Sequence, residues 1–334
     1  MGYDPAVLRR ATARLAQGKE SRRRALEDRR RTLYAAVPEL RTIDRQLKAA
    51  VAQAVGACVQ TGTDPADAVA AAKARSLELQ RRRAALLGQA GYAEDALSDA
   101  PGCPLCKDSG WNGADMCQCL RALYAQEQVK ELSTLLDLGE QSFDSFCADW
   151  YSPLPWPGES VPPRENMEFI YEMCLSYARK FGAFPIKNLF LTGAPGLGKT
   201  FLSACVARTV AESGFSVVYD TAVNIFSKFE EQKFARSVEE GQEGQRSTRR
   251  YLNCDLLILD DLGSELTTPF VQSALYTLVN TRLTGRKNTV ISSNLSMDDV
   301  RSRYNGQTAS RLEGEYRTLR FYGQDIRLQK KARL

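Results

Sequence analysis

The sequence predicts an α/β protein with a parallel five-stranded sheet, preceded by a helical amino-terminal domain and a small cysteine-rich module. Three observations carry this prediction. From about residue 164, short apolar runs alternate with helical segments, which is typical of parallel strands joined by crossover helices. The first 100 residues are rich in Ala, Leu, Arg, Glu and Gln, a composition that favours helix. Four of the nine cysteines fall between residues 102 and 120.

Residues 1–100 are predicted to form a helical hairpin or bundle. Because proline is well tolerated in the first turn of a helix, we expect helices from about Pro5 to Ala35, from Pro38 to Gly56 and from Asp64 to Gly88. These residues hold 18 Lys and Arg against 12 Asp and Glu, in a chain of net charge +5. The excess is densest in the arginine triplets 22–24, 29–31 and 81–83. It indicates either an acidic partner, protein or DNA, or simply a solvated helix face.

The cysteine-rich module, residues 101–138, is predicted to bind Zn²⁺. The spacing C-x₂-C-x₁₀-C-x-C is formed by Cys103, Cys106, Cys117 and Cys119. Four thiolates complete a tetrahedral zinc shell with no open position, which makes such a site structural. A redox pair or disulfide, and four unrelated cysteines, are the alternatives. A helix is expected from about Leu120 to Leu138, and the other five cysteines are expected to pack in the core.

Residues 139–163 are predicted to be a linker, because five prolines fall between residues 150 and 163. Within residues 164–334 we expect the strands of the sheet at residues 188–192, 216–220, 256–259, 289–293 and 319–322. Residues 235–250 are charged, rich in Gly, Gln and Ser and without apolar periodicity. They are therefore expected to form a mobile surface loop. The residues after the last strand are expected to be a basic tail.

A glycine-rich motif indicates a site for nucleotide phosphates. Residues 193–200, Gly-Ala-Pro-Gly-Leu-Gly-Lys-Thr, match G-x-x-x-x-G-K-[ST] at every fixed position. A predicted strand precedes the motif and a helix to about Ala211 follows it, so backbone N–H groups and the helix dipole face the phosphates. Lys199 is expected to reach the β- and γ-phosphates, and Thr200 to bind Mg²⁺. The predicted nucleotide-binding residues are Gly193, Ala194, Pro195, Gly196, Leu197, Gly198, Lys199, Thr200 and Phe201. A chance turn is the alternative.

Two acids follow a run of four aliphatic residues, which is typical of a buried parallel strand. Asp260, at the carboxyl end of this strand, is expected to hold Mg²⁺ through water. Asp261 is the candidate for orienting the attacking water, or else it caps the next turn. Asn294 ends another predicted strand and is expected to contact the γ-phosphate, or else it forms a turn before a helix cap at Ser296.

The absence of histidine excludes Ser-His-Asp triads, Cys-His dyads and H-E-x-x-H zinc sites. No run of about 18 apolar residues is present, so we expect no membrane partner. The amino terminus also lacks the apolar stretch of a signal peptide. The sequence therefore predicts a cytoplasmic protein whose chemistry uses carboxylates, Lys, Arg or a metal.

These residues resemble the AAA+ P-loop ATPases of the DnaC/DnaI helicase-loader and IstB-like family. The resemblance covers about residues 140–325. It is carried by residues 193–200, Leu257–Glu265, Ser293-Asn294, Ser310-Arg311-Leu312, the aromatic segment Phe143–Phe146 and the stretch Arg317–Arg327. It implies that Asn294 senses the γ-phosphate and that Arg311 is an arginine finger for ATP in a neighbouring subunit, with Arg301 and Arg303 as rivals. A finger of this kind requires a homo-oligomer. The helical lid of many AAA+ proteins is absent.

The same resemblance implies partners. Residues 222–253 correspond to the segment where relatives contact single-stranded DNA, and here cations and phenylalanines alternate: Lys228, Lys233, Arg236, Arg246, Arg249 and Arg250, with Phe226, Phe229 and Phe234. Glutamates nearly cancel this charge, and the phenylalanines are equally suited to the core. The leading hypothesis is a loader of the replicative helicase hexamer that uses ATP/ADP, Mg²⁺ and Zn²⁺. The alternatives are an IstB-like transposition helper acting on duplex DNA with a transposase, and a module that binds ATP only as a structural ligand.

Overall fold

The computed structural model describes residues 3–59, 65–136, 141–235 and 237–333. By packing, the chain divides into two compact units. One comprises residues 13–117, and the other comprises residues 1–12 and 118–334. Among the described residues, no helix has both the length and the apolar character needed to cross a bilayer.

The amino-terminal residues form the helices that the composition predicted. They are α1 (Pro5–Ala36), α2 (Pro38–Val59) and α3 (Pro65–Gln89). The expected cap of α3, Asp64, lies outside the described residues. A small apolar cluster joins these helices and the segment after them through the buried residues Leu33, Leu40, Leu87 and Leu97.

Some arginines of the three triplets stabilise this unit through contacts with other segments of it. The guanidinium groups of Arg29 and Arg30 donate to the backbone carbonyls of Ala96 and Leu97. Arg83 pairs with Asp44 at 2.8 Å, and only 18% of either side chain is exposed. By contrast, Arg23 and Arg24 pair with neighbouring acids on the exposed face of their own helix. The basic charge of that face remains accessible to solvent.

The cysteine-rich module contains a two-stranded antiparallel hairpin of β1 (Trp111–Asn112) and β2 (Asp115–Met116). Helix α4 (Gln118–Leu136) follows directly. It begins two residues earlier than expected, and its predicted end at Leu138 lies outside the described residues.

The remaining residues of the larger unit surround a five-stranded sheet of order β4-β5-β6-β3-β7. Every adjacent pair of strands is parallel, which confirms the predicted fold class. Leu189 and Leu191 join one apolar cluster and Phe190 joins another, because successive side chains point to opposite faces of a sheet. Each predicted strand lies within three residues of its expected position: β3 (Leu189–Gly193), β4 (Val217–Thr221), β5 (Leu256–Leu262), β6 (Asn288–Ser293) and β7 (Arg317–Phe321).

The helices of this unit connect and cover the strands. They are α5 (Pro163–Arg179), α6 (Lys199–Glu212), α7 (Ala222–Lys233), α8 (Val238–Asn253), α9 (Pro269–Thr284), α10 (Met297–Arg303), α11 (Gly306–Glu315) and α12 (Ile326–Arg333). Two 3₁₀ turns, Phe143–Ser145 and Ala148–Trp150, precede α5. Because β3, β5 and β6 are parallel neighbours, their carboxyl ends meet at one edge of the sheet.

The prediction of a mobile loop at residues 235–250 was wrong, since α8 occupies most of that range. The Ser237 hydroxyl accepts a hydrogen bond from the Glu240 N–H and caps the helix. At Gly244, a Cβ atom would lie 2.8 Å from the Cα of Gln232 in α7, so the two helices approach closely. The buried face of α8 is therefore made by a glycine, by Thr248 and by Tyr251, and this set gives no aliphatic periodicity.

The residues after β7, which were expected to be a basic tail, include a helix. Residues Ile326–Arg333 form α12. The Asp325 carboxylate accepts from the Arg327 N–H at 2.7 Å and so caps the first turn of this helix. One expected core cysteine also differs, because Cys147 is exposed, whereas Cys174, Cys205 and Cys254 are buried as predicted. The side chain of Cys58 lies outside the described residues.

Candidate functional site

The phosphate-binding motif forms a tight loop between β3 and α6. Gly193, Gly196 and Gly198 have φ values of +147°, +76° and +94°, a region that favours glycine. A Cβ atom at Gly193 would lie 2.2 Å from the carbonyl oxygen of Phe321, and one at Gly196 would lie 2.0 Å from a carboxylate oxygen of Asp325. The glycines are thus required both by the backbone angles and by close neighbours. Residues Lys199–Glu212 follow as a helix, in the order expected for an anion site.

A pocket of about 560 Å³ opens beside this loop. Its walls include most of the loop together with residues from the carboxyl ends of β5 and β6. Of the predicted site residues, the pocket is lined by Pro195, Gly196, Leu197, Gly198, Lys199, Thr200, Phe201, Asp260, Asp261 and Asn294. The structure therefore brings together the loop, the two acids and the asparagine that the sequence singled out separately.

Lys199 lies at the centre of this arrangement. Its ammonium group donates to the carbonyl oxygens of Gly193 and Ala194 at 2.6 and 2.8 Å, and to Asn294 Oδ1 at 2.7 Å. Burial lowers the pKa of Lys199 to about 8, although the charges of Asp261 and Asp260 act in the opposite direction. A partly desolvated cation held by weak neutral acceptors is well suited to exchange them for phosphate oxygens.

Asp260 is surrounded by hydroxyl groups. Thr200 Oγ1 lies 3.2 Å from Asp260 Oδ2, and the Tyr219 hydroxyl donates to the same oxygen at 2.7 Å. The Ser292 hydroxyl donates to Asp260 Oδ1. Burial, and then the charge of Asp260, raise the pKa of Tyr219, so this phenol keeps its proton and remains a donor. A hydroxyl and a carboxylate at one point are hard oxygen donors of the kind Mg²⁺ prefers, so Thr200 and Asp260 fit that metal.

Asp261 and Asn294 form the other side of the site. Asn294 Nδ2 donates to Asp261 Oδ1 at 3.1 Å, so the amide joins that acid to Lys199. The pairing of β5 with β6 shifts register between Leu259 and Leu262, and Asp261 has a φ of +57°. Such a bulge re-aims a side chain. Two consecutive acids, which would point to opposite faces of a regular strand, therefore both line the pocket.

The segment predicted as a linker also contributes to the pocket. The buried Tyr151 hydroxyl donates to the carbonyl oxygen of Leu197 at 2.9 Å. Phe146 lines the pocket and stacks on Tyr171 with ring centroids 4.5 Å apart, and Trp150 lines it as well. Sequence analysis assigned these residues no individual role. The aromatic segment Phe143–Phe146 was the available signal, but it specified no contact.

Helix α12 supplies two cations that the sequence analysis missed. The Ile326 N–H donates to the carbonyl oxygen of Gly196 at 3.0 Å, which attaches the start of the helix to the glycine-rich loop. Arg327 and Lys330 line the pocket one turn apart. Positive charge thus reaches the site from the last described helix.

Arg311 does not line this pocket. It lies in a separate depression with Tyr276, Gln307 and Glu315, and its side chain is exposed. The two rival arginines are engaged within the chain. Arg301 pairs with Glu313, and Arg303 donates to Thr267 and to the backbone of Glu265.

The four predicted zinc ligands form one cluster. The Sγ atoms of Cys103, Cys106, Cys117 and Cys119 all lie within 4.8 Å of one another. The Sγ atoms of Cys103 and Cys117 are 3.7 Å apart, close to the edge of roughly 3.8 Å that zinc–sulfur bonds of about 2.3 Å give in a tetrahedron. The four-cysteine cluster is confirmed, and its donor set fits Zn²⁺. No disulfide is found among the described cysteines.

Neighbouring groups orient the cluster. The Gly110 N–H donates to the Cys106 sulfur at 3.4 Å. The Asp108 carboxylate accepts from the backbone N–H groups of Gly102 and Cys103 and from Arg22 of α1. Burial opposes ionisation of Asp108, but these hydrogen bonds outweigh it and hold its pKa below the usual value. The charged carboxylate thereby fixes the first turn of the module.

Comparison with known proteins identifies a family domain within the larger unit. Residues 183–331 match the family model described as IstB-like ATP binding protein, so this part of the chain is an IstB-like ATP-binding domain. An uncharacterised protein of Escherichia coli, YdaV, is 26% identical over 115 residues, or 34% of this chain and 44% of that protein. The replicative helicase loader DnaI of Bacillus subtilis is 28% identical over 119 residues, or 35% of this chain and 36% of that protein. The chain spans less than half the length of both relatives.

Among solved structures, the crystal structure of the DnaC helicase loader is 18% identical, with a TM-score of 0.43. The match covers 55% of this chain and 97% of that chain.

Proposed function

We propose that this protein is an ATPase that loads a replicative DNA helicase, binding ATP with Mg²⁺ and hydrolysing it while in contact with single-stranded DNA. The observation that carries the proposal is the convergence of Lys199, Thr200, Asp260, Asp261 and Asn294 in one pocket at the edge of the sheet. An incomplete set would suit a module that only binds nucleotide. The similarity to a protein named as a helicase loader supports the biological role.

Each group has a distinct task in this proposal. Lys199 exchanges its carbonyl partners for β- and γ-phosphate oxygens, and Arg327 and Lys330 add positive charge at the rim of the pocket. Thr200 and Asp260 hold Mg²⁺, which neutralises charge on the phosphates when bound. Asp261 orients and polarises the attacking water, while Asn294 holds that carboxylate beside the lysine. The attacking water thus loses its proton toward Asp261 as its oxygen bonds to the γ-phosphorus. The bond between the γ-phosphorus and the β,γ-bridging oxygen breaks, so that ADP and inorganic phosphate leave.

Arg311 acts on ATP bound by a neighbouring copy of the chain. Its exposure supports this role, as does the engagement of Arg301 and Arg303 within their own chain. A guanidinium at the γ-phosphate stabilises the charge that develops in the transition state. Rapid hydrolysis would then require a homo-oligomer, and the monomer would hydrolyse ATP only slowly.

Arg311→Ala is expected to lower the hydrolysis rate of the assembled oligomer about 10³-fold while leaving ATP affinity unchanged. The control is Arg301→Ala, which removes only a surface ion pair. A mixture of Arg311→Ala with Lys199→Ala should recover activity, because the second variant supplies an intact finger to the nucleotide held by the first. An equal loss of activity in dilute monomer would contradict a finger acting between subunits.

The hairpin formed by α7 and α8 is the proposed surface for single-stranded DNA. Lys233 Nζ lies 4.8 Å from the ring centroid of Phe270 and 5.5 Å from that of Phe234. Phe234 is 61% exposed, and Arg246 and Arg249 are exposed on α8. An exposed aromatic ring with nearby cations suits base stacking and backbone tracking. Phe226 is buried and Phe229 stacks on Tyr251, so these two belong to the core. Arg236 lies outside the described residues.

The function is tested by co-purification of the full chain with candidate replicative helicases, with and without ATP, followed by binding to a fluorescent oligonucleotide. We expect a stable complex with one helicase and ATP-dependent retention of single-stranded DNA. Phe234→Ala should weaken DNA binding. The control is Val223→Ala, because Val223 is an exposed apolar residue at the other end of α7, and this variant should bind DNA normally. Failure to bind any helicase would contradict the loader role.

The match to the IstB-like family model favours a second candidate function. It is that of a transposition helper ATPase that acts on duplex DNA with a transposase. Preference for duplex over single-stranded oligonucleotides, together with capture of a transposase rather than a helicase, would favour this candidate over the loader.

A further inference from the structure

We propose that Tyr219 and Ser292 are positioning residues for Asp260, which fix its carboxylate in the orientation that holds Mg²⁺ together with Thr200. This inference rests on the proposed function, because it requires a metal to be bound with the nucleotide. Neither residue belongs to a motif that the sequence analysis singled out.

The geometry shows how the carboxylate is held. Asp260 lies in β5, between β4 and β6 in the sheet. Tyr219 of β4 donates to Oδ2 at 2.7 Å, and Ser292 of β6 donates to Oδ1. Each carboxylate oxygen is therefore engaged by a hydroxyl from a different neighbouring strand. The carboxylate cannot rotate without breaking both hydrogen bonds.

Burial makes these hydrogen bonds strong determinants of orientation. Tyr219 is 3% exposed, Ser292 is 1% exposed and Asp260 is 6% exposed. A carboxylate removed from water needs hydrogen-bond donors, and such bonds to an ionised group are stronger than neutral ones. Thr200, the third hydroxyl, lies at 3.2 Å from Oδ2 and is the one that a bound metal would recruit. Tyr219 and Ser292 are then the donors that remain on the carboxylate.

Ser292 also connects the two acids. Its hydroxyl donates to Asp260, while its oxygen accepts from the Asp261 N–H at 2.9 Å. The single hydroxyl thereby supports the backbone at the bulge, where Asp261 has its positive φ. Loss of Ser292 should affect the orientation of both acids, whereas loss of the Tyr219 hydroxyl should affect Asp260 alone.

A purely structural role predicts a different outcome from a positioning role. If the two hydroxyls only satisfy a buried group, their removal lowers protein stability without changing how much Mg²⁺ the nucleotide complex requires. If they orient a metal ligand, their removal weakens metal binding, and outer groups of this kind typically change metal affinity about 10- to 100-fold. The Mg²⁺ dependence of nucleotide binding separates the two roles.

The experiment titrates Mg²⁺ into the full-length chain with a fluorescent ATP analogue and also measures binding of the analogue in EDTA. For Tyr219→Phe we expect the half-maximal Mg²⁺ concentration to rise about tenfold or more, with binding in EDTA unchanged. Bound Mn²⁺, counted by electron paramagnetic resonance, should fall in parallel. Tyr177→Phe is the matched control, because Tyr177 is a buried tyrosine of the same core whose hydroxyl donates to the Lys187 carbonyl.

Ser292→Ala is the second variant, and it allows the test to be made even if Tyr219→Phe fails to fold. It should raise the half-maximal Mg²⁺ concentration at least as much as Tyr219→Phe does. Wild-type Mg²⁺ requirements in the folded variants would overturn the inference, even if both variants melt at lower temperature. An equal shift in Tyr177→Phe would overturn it as well. If the unmodified protein binds no ATP analogue in the presence of Mg²⁺, the proposed function itself fails. If it binds the analogue but the variants show the same Mg²⁺ requirement, only the present inference fails.

Discussion

Lys199→Ala is expected to abolish ATP binding at micromolar concentrations, a loss of about 100-fold or more in affinity, because the pocket loses its central cation. Lys199 contacts both the carbonyls of the loop and Asn294. Without it, the Asn294 amide also loses its link to the loop. Binding is measured with a fluorescent ATP analogue. Lys180→Ala, on an exposed residue of the same unit, is the control and should bind normally.

The pH dependence of binding offers an independent check on this lysine. Its pKa of about 8 in the free protein is below the usual value because of burial. Phosphate binds the charged form, so affinity should be highest well below pH 8 and should fall as the pH rises through 8, where half of the free lysine is neutral. In Lys199→Ala any residual affinity should lack this decline. An unchanged decline in the variant would show that another group titrates.

Cys103→Ser is expected to remove about one zinc ion per chain, as measured by elemental analysis. Three thiolates no longer close a tetrahedral shell, and structural zinc sites contribute on the order of 10 kcal/mol to local folding. The short hairpin β1–β2 has only two residues in each strand and cannot order alone. Backbone amides of residues 101–117 should then exchange rapidly with deuterium.

Cys147→Ser provides the matched control, because Cys147 is exposed and stands outside the cluster. It should retain its zinc and its slow amide exchange. Zinc content that stays near one per chain in Cys103→Ser would show that the remaining cysteines suffice, and a protein purified without any zinc would contradict the assignment of the metal.

The sequence predicted those parts of the site whose residues are contiguous and chemically distinctive. The glycines of the loop specify its backbone conformation. Because such a loop connects a strand to a helix, those two elements could be predicted with it. The cysteine spacing likewise implied a local cluster that needs no distant contact. Asp260, Asp261 and Asn294 were found because polar residues at the ends of apolar strands are conspicuous. The parallel sheet then brings those ends together.

The remainder depended on tertiary contacts that no local pattern encodes. Residues 239–250 of α8 include no aliphatic residue, and Gly244 and Thr248 of this stretch contact α7, so the sequence resembled a polar loop. Helix α12 has two large apolar residues, Ile326 and Leu328, and its other residues are mostly basic, so the sequence was interpreted as a basic tail. Tyr219 and Ser292 are ordinary residues within strands, and only strand order brings them to either side of Asp260.

The left-handed backbone at Asp261 determines which substitutions can report on chemistry alone. Asparagine, like aspartate, adopts this conformation readily, whereas alanine and glutamate adopt it much less often. Asp261→Asn therefore removes a charge while leaving the chain path intact. Asp261→Ala or Asp261→Glu would in addition disturb the bulge held by Ser292. A library covering every amino acid at this position should accordingly favour Asp, Asn and Gly for folding, and only Asp for turnover.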